Sequence, residues 1–266
     1  MTHQSCGTCS TCHDGYRQYC SAASGFAFSD TEQGAFSSGR IIDADFCYPI
    51  PPSISSVVAA PLMCAGASTY EALCAANVQS EHRVGVIGLG GLGHMACLFA
   101  RAKGCQTSVI FPRGDGGKSE MATKLADEVI DLSLRTAYSA TGGTKPLESA
   151  GKINALIVCS NDMPDWQAVL PLLERRATIV LMSIVAGGEL KIPYMDFILP
   201  GQRIIASTEC RKDRQIEMLH FVEKNGLMPW IEEFQMTEDG MREAFGKLES
   251  GKMRFRGVLT VPEGGI

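Results

Sequence analysis

The sequence predicts an α/β fold organised around a doubly wound parallel sheet, preceded by a polar, cysteine-rich lobe. Two observations predict the sheet. From about Ala65 onward, strand-sized apolar runs alternate with helix-compatible stretches, the pattern of strands buried on both faces and joined by crossover helices. One crossover is the glycine-rich turn Gly88-Leu89-Gly90-Gly91-Leu92-Gly93, set between an apolar run and a helix-compatible run. A third observation predicts the lobe. Of 11 cysteines, Cys6, Cys9, Cys12 and Cys20 crowd into a segment with little apolar periodicity, so something other than a hydrophobic core must order it.

Taken in order, residues 1–40 read as loop. Between 41 and 62, the stretches 41–42, 46–52 and 57–62 read as short strands or turns broken by Pro49, Pro51, Pro52 and Pro61, since proline cannot donate to a sheet ladder. Strands are then expected at 83–89, 107–111, 129–131, 155–160, 178–184 and 203–207. Helices are expected between them at 92–103, 118–125 and 165–173, and at 212–225, where Gly226 supplies a stop. The tail reads as an extended segment at 231–234, a helix at 240–250 and a last strand at 256–261. The corresponding domains are 1–64, 65–222 and 223–266.

Composition narrows the class. With 266 residues, 45% hydrophobic, 20% charged and a net charge of -5, the chain has enough apolar content for a core and lacks the basic surface that nucleic acid requires. The apolar runs look shorter than a bilayer needs, so no membrane partner is expected. The first 20 residues lack the basic start and apolar stretch of a secretory signal, and the expected compartment is the cytosol. An odd, clustered cysteine count argues for metal rather than disulfides.

The glycine turn carries a specific chemistry. Gly88 permits the tight turn after the strand, Gly90 lets the backbone approach a pyrophosphate, and Gly93 lets the next helix pack closely against the strand. The helix N-terminus then faces the phosphates. Leu89, Gly91 and Leu92 complete this Rossmann-type cofactor loop. At the end of the second strand the window reads Ser108-Val109-Ile110-Phe111-Pro112-Arg113, without the carboxylate that would hold the ribose hydroxyls of NAD. Arg113 and Lys118 favour the 2′-phosphate of NADP, although Asp115 stands between them. His94, directly after Gly93, reads as a packing residue or a cofactor contact rather than a base. The four cysteines follow C-x2-C-x2-C-x7-C, a spacing that closes a tetrahedron of thiolates around a structural zinc with no open position. An iron–sulfur cluster is the competing reading.

Together these residues resemble the zinc-dependent medium-chain alcohol dehydrogenases, most closely their cinnamyl-alcohol-dehydrogenase-like, NADP-dependent branch. The resemblance rests on Ser5-Cys6-Gly7-Thr8-Cys9 with Gln18-Tyr19-Cys20, on Ala59-Ala60-Pro61-Leu62-Met63-Cys64-Ala65-Gly66 before Tyr70, on the glycine turn, and on Arg254-Phe255-Arg256. It implies a Rossmann domain plus the remnant of a GroES-like β catalytic domain carrying the zinc lobe. It also implies that Cys64 is one of three protein ligands of a catalytic zinc, that Ser68 lies near the nicotinamide, that Ile184 meets it through the backbone, and that Arg256 reaches the pyrophosphate. The expected activity is NADP(H)-dependent alcohol oxidation or aldehyde reduction, by a homodimer joined along the edge strand near 203–208.

The sequence departs from the family in one respect. Family members carry roughly 90 further residues before the lobe, with the first catalytic cysteine and a Gly-His-Glu segment. None of His3, His13, His82, His94 and His220 sits in such a segment. A catalytic zinc is therefore doubtful on this sequence, because a catalytic tetrahedral site needs three protein ligands and Cys64 supplies one. Two alternatives follow: an NADP-binding protein without catalysis, and a zinc-independent enone reductase. Apolar surface around 41–58 is expected to be uncovered, giving poor solubility or a covering partner.

Overall fold

The computed structural model describes residues 2–261 apart from 27, 28, 33, 35, 38, 113, 115, 140 and 186. The chain forms two compact units, Met1–Glu71 with Glu209–Ile266, and Ala72–Thr208. The expected boundaries lay at 64/65 and 222/223; the helix at 212–225 groups with the first unit.

In the first unit, β1 (Thr2–Gln4) pairs antiparallel with β2 (Ser24–Gly25), and α1 (Ser10–His13) with a 3-10 turn at Arg17–Tyr19 lies in the loop they close. The cysteine lobe is thus a loop pinned at its base. Next come α2 (Ser56–Pro61), a π-helical turn at Leu62–Gly66 and α3 (Ala67–Ala75). The expected strand or turn at 57–62 is helical instead. Ser55 caps it, its hydroxyl accepting from the Val58 amide at 3.4 Å. Pro61 removes one helical donor, and the helix widens into the π turn directly after it rather than ending. Residues Ser56–Ala75 are consequently one 20-residue helical run, long and apolar enough by length and composition to cross a bilayer, against the expectation of strand-sized runs only. Of its apolar window 67% is buried inside the protein, as in the core helix of a folded domain.

The second unit is built on eight strands: β3 (Arg83–Ile87), β4 (Gln106–Phe111), β5 (Glu128–Asp131), β6 (Thr136–Ser139), β7 (Thr144–Pro146), β8 (Ile153–Val158), β9 (Leu173–Leu181) and β10 (Arg203–Ala206). Their order is β10-β9-β8-β3-β4-β5-β6-β7. The six from β10 to β5 are mutually parallel, and β6 and β7 continue the sheet antiparallel. The parallel order places β3 at the centre with the chain winding away on both sides, the doubly wound Rossmann arrangement. Val84, Val86, Ile87, Val109, Ile110, Leu156 and Ile157 are fully buried. Each contributes about 1.5–3 kcal/mol by burial, which explains why the central strands read as continuous apolar runs. The helices of this unit are α4 (Gly93–Ala102), α5 (Ser119–Leu125), α6 (Trp166–Val169) and α7 (Tyr194–Ile198). Asp165 starts α6 by accepting from the Gln167 amide at 3.0 Å.

The rest of the first unit is α8 (Lys212–Asn225), β11 (Ile231–Gln235), α9 (Glu238–Glu249) and β12 (Arg256–Thr260). Gly226 ends α8 in the left-handed conformation at φ 58°. Thr237 caps α9, and β11 and β12 pair in parallel register.

Candidate functional site

The glycine turn sits at the carboxyl end of β3, where the strand order reverses, the place at which open α/β sheets bind ligands. Gly88 has φ 91°, and a Cβ there would stand 2.5 Å from the Ser160 amide nitrogen and 2.7 Å from the Cys159 carbonyl carbon. The loop after β8 therefore presses so close that only glycine fits. A Cβ on Gly93 would meet the Gly88 carbonyl oxygen. Gly90 differs: a Cβ there would meet nothing within 4 Å, leaving backbone that a ligand could approach. The turn is closed by the Gly90 amide donating to the Gly88 carbonyl at 3.0 Å and by the His94 amide donating to Gly90 at 3.1 Å. Leu89 is buried while Gly91 and Leu92 are half-exposed.

Leu92 provides no side-chain cap to α4, and a helix N-terminus without a side-chain cap is suited to a phosphate. His94 is fully buried, its Nδ1 3.1 Å from the Gly90 carbonyl; it braces the turn from beneath. Lys118 reaches back to the same loop, its Nζ donating to the Leu89 carbonyl at 3.2 Å. Arg113 lies outside the described residues. Ile184, 78% exposed, follows β9 in this unit. Ser68 on α3 and Arg256 at the start of β12 belong to the first unit. The Cys159–Ser160 wall opposite Gly88 was not singled out from the sequence; its signal is only that it ends β8, the strand across the reversal from β4.

In the cysteine lobe, the four sulfurs of Cys6, Cys9, Cys12 and Cys20 all lie within 4.8 Å of one another. Cys6 to Cys12 is 3.9 Å, Cys9 to Cys20 3.8 Å and Cys20 to Cys6 3.5 Å. Four sulfurs at about 2.3 Å from one tetrahedral ion would be separated by about 3.8 Å, so the donor set fits zinc. The backbone amides of Thr8 and Cys9 draw the Cys6 thiol down to about 6, whereas at Cys9 the lowering by the Cys12 amide is outweighed by the Cys12 thiol, burial and the Cys6 and Cys20 thiols, which push it up to about 11; four thiols so close share their protons unequally until a cation takes their place. Cys64 lies in the π turn and is exposed. Among the described residues, no set of three or more histidines, cysteines or carboxylates gathers around it, so these residues do not fit a catalytic zinc.

A doubly wound sheet with a glycine turn at its reversal, in a chain that also holds a four-thiolate lobe, defines a dehydrogenase-type architecture. Residues 91–224 match the zinc-binding dehydrogenase family. A probable cinnamyl alcohol dehydrogenase of Oryza sativa is 32% identical over 267 residues, covering 97% of this chain and 71% of that protein. An NADP-dependent alcohol dehydrogenase C of Mycobacterium tuberculosis is 27% identical over 269 residues, covering 97% and 72%. The solved cinnamyl alcohol dehydrogenase of Sorghum bicolor superposes with a TM-score of 0.82 at 26% identity, over 97% of this chain and 72% of that one. The chain belongs to the zinc-binding dehydrogenase family.

Proposed function

We propose that this protein binds NADP(H) at the glycine turn and acts as an alcohol dehydrogenase or aldehyde reductase on small-molecule alcohols or aldehydes. The observation that carries the reading is the turn itself: backbone kept bare at Gly90, an uncapped helix N-terminus behind it, and the Lys118 ammonium beside it. The bound nicotinamide supplies or accepts the hydride. Gly88 and Gly93 hold the loop shape, Lys118 and Arg113 supply positive charge for the additional phosphate, and Ile184 is a further cofactor contact within the same unit. Zinc in the four-cysteine lobe replaces the core that this polar segment cannot build.

No step is assigned to zinc at Cys64. That position favours a second reading, in which the dinucleotide unit serves an enone reductase or a binding protein without zinc catalysis. The cytosol is the compartment that suits clustered cysteines serving a metal rather than a disulfide framework. A homodimer is supported by β10, whose outer edge pairs with no strand among the described residues, and by the exposed Tyr194, Met195 and Leu199 on and just after α7. The test is NADPH consumption by the zinc-loaded chain, with metal analysis, on an aromatic aldehyde and on an enone. Aldehyde turnover supports the reading. Binding of NADPH with turnover of the enone alone, or of neither, replaces it with the second.

A further inference from the structure

The first unit contains a cavity of about 340 Å³ lined by none of the four clustered cysteines and by no residue of the glycine turn. Its size is within the range of small-molecule sites. Phe26, Ile42, Phe46 and Met63 give it apolar walls, and Arg17, Arg40 and Glu209 bring charge to it.

These charges are not matched against one another. Both Glu209 oxygens lie 3.0 Å from the Thr2 amide, which donates to them; Glu209 holds this place in the left-handed region at φ 55°. Arg17 donates to the Asp45 carbonyl at 3.0 Å and to the Tyr48 hydroxyl at 2.9 Å, and lies over the Phe46 ring at 3.8 Å. Arg40 lies over the Phe26 ring at 3.5 Å, and no hydrogen bond or ion pair joins it to another described residue. A guanidinium laid flat on a ring keeps its N–H edge available for a planar acceptor. The cavity therefore offers an apolar interior, one organised arginine and one arginine whose donor fork meets no described residue, while its one carboxylate among the described lining residues is already engaged by backbone.

We propose that this cavity is a binding site for a small aromatic carboxylate. The ring is taken by Phe26, Ile42 and Met63, and the carboxylate by Arg40, with Arg17 adding favourable charge. A cation is disfavoured by the two guanidiniums, and a neutral molecule leaves the Arg40 fork unused. The site is independent of the dinucleotide reading, because every residue it needs lies in the first unit and no cofactor takes part.

Isothermal titration of the zinc-loaded chain with 3-phenylpropanoate and with its uncharged amide tests this. The carboxylate is expected to bind at least about ten-fold more tightly than the amide, and Arg40→Gln to remove most of that difference. Arg40 is exposed, so zinc content and circular dichroism should match the parent, and Glu209→Gln should leave the affinity equal or higher. The carboxylate should also slow alkylation of Cys210, which lines the cavity, by iodoacetamide as read by peptide mass. Equal affinity for acid and amide, no binding, binding insensitive to Arg40→Gln, or displacement by NADPH overturns the proposal.

Discussion

A Cβ placed on Gly93 would collide with the carbonyl oxygen of Gly88. The first turn of α4 and the last residue before the loop are in backbone contact, with no flexible side chain between them to yield. Gly93→Ala and Gly88→Ala should each destabilise the second unit by about 1–3 kcal/mol. Gly90→Ala faces open space and should leave the thermal midpoint nearly unchanged. Calorimetry of the three variants checks the contrast; equal destabilisation by all three would show that the loop differs from this description.

The cysteine lobe has few buried side chains, so its order should depend on the ion. Purified protein is expected to carry one zinc per chain at the four cysteines. Cys20 is the most buried of them, and Cys20→Ser should abolish zinc binding and lower stability by several kcal/mol, as strong chelation should in the parent. Metal analysis with thermal melts is the measurement. A parent that melts identically with and without chelator would argue against a structural zinc.

Lys118 lies against the loop through the Leu89 carbonyl. If its charge serves the 2′-phosphate, Lys118→Ala should weaken NADPH binding by about ten-fold and change NADH binding little. Competitive titration of the two dinucleotides decides it, and equal losses for both would assign Lys118 to the loop shape alone.

Glu71 is 4% exposed. Burial pushes its carboxyl above the ordinary 4.5, opposed by the Arg211 amide, the Arg214 charge, the Cys210 thiol and the Arg211 charge. The folded state thus prefers the protonated acid. This contribution is fully present below pH 4.5 and is lost as the pH rises through the raised folded value. Glu71→Gln should be more stable than the parent at neutral pH, with the difference shrinking on acidification. Denaturant titrations of both at matched pH provide the test; a constant difference would remove Glu71 from the pH dependence.

What could be read in advance follows from where the physics is local. The strands β3, β4, β5, β8, β9 and β10 and the stop at Gly226 were legible because buried parallel strands and left-handed glycines leave marks in the adjacent residues. The hairpin of β6 and β7 was missed. Its strands are short and half-polar, and the only mark of its turn is the pair Gly142 and Gly143 at φ 104° and 86°. Helix α2 was misread because prolines suggested breaks, whereas Pro61 is absorbed by a π turn. The four thiolates and the glycine turn were legible as motifs. The aromatic and arginine cavity was not, because Phe26, Arg40, Met63 and Glu209 are brought together only by the fold.

Direct titration of the zinc-loaded protein with NADPH, followed by cofactor fluorescence and repeated with Gly90→Ala, tests the central claim. Saturable binding by the parent, lost by at least about ten-fold in a variant that melts like the parent, is the predicted result. A folded parent that does not bind NADPH, or a Gly90→Ala variant that binds it equally well, would contradict the assignment of the turn at 88–93 to a dinucleotide.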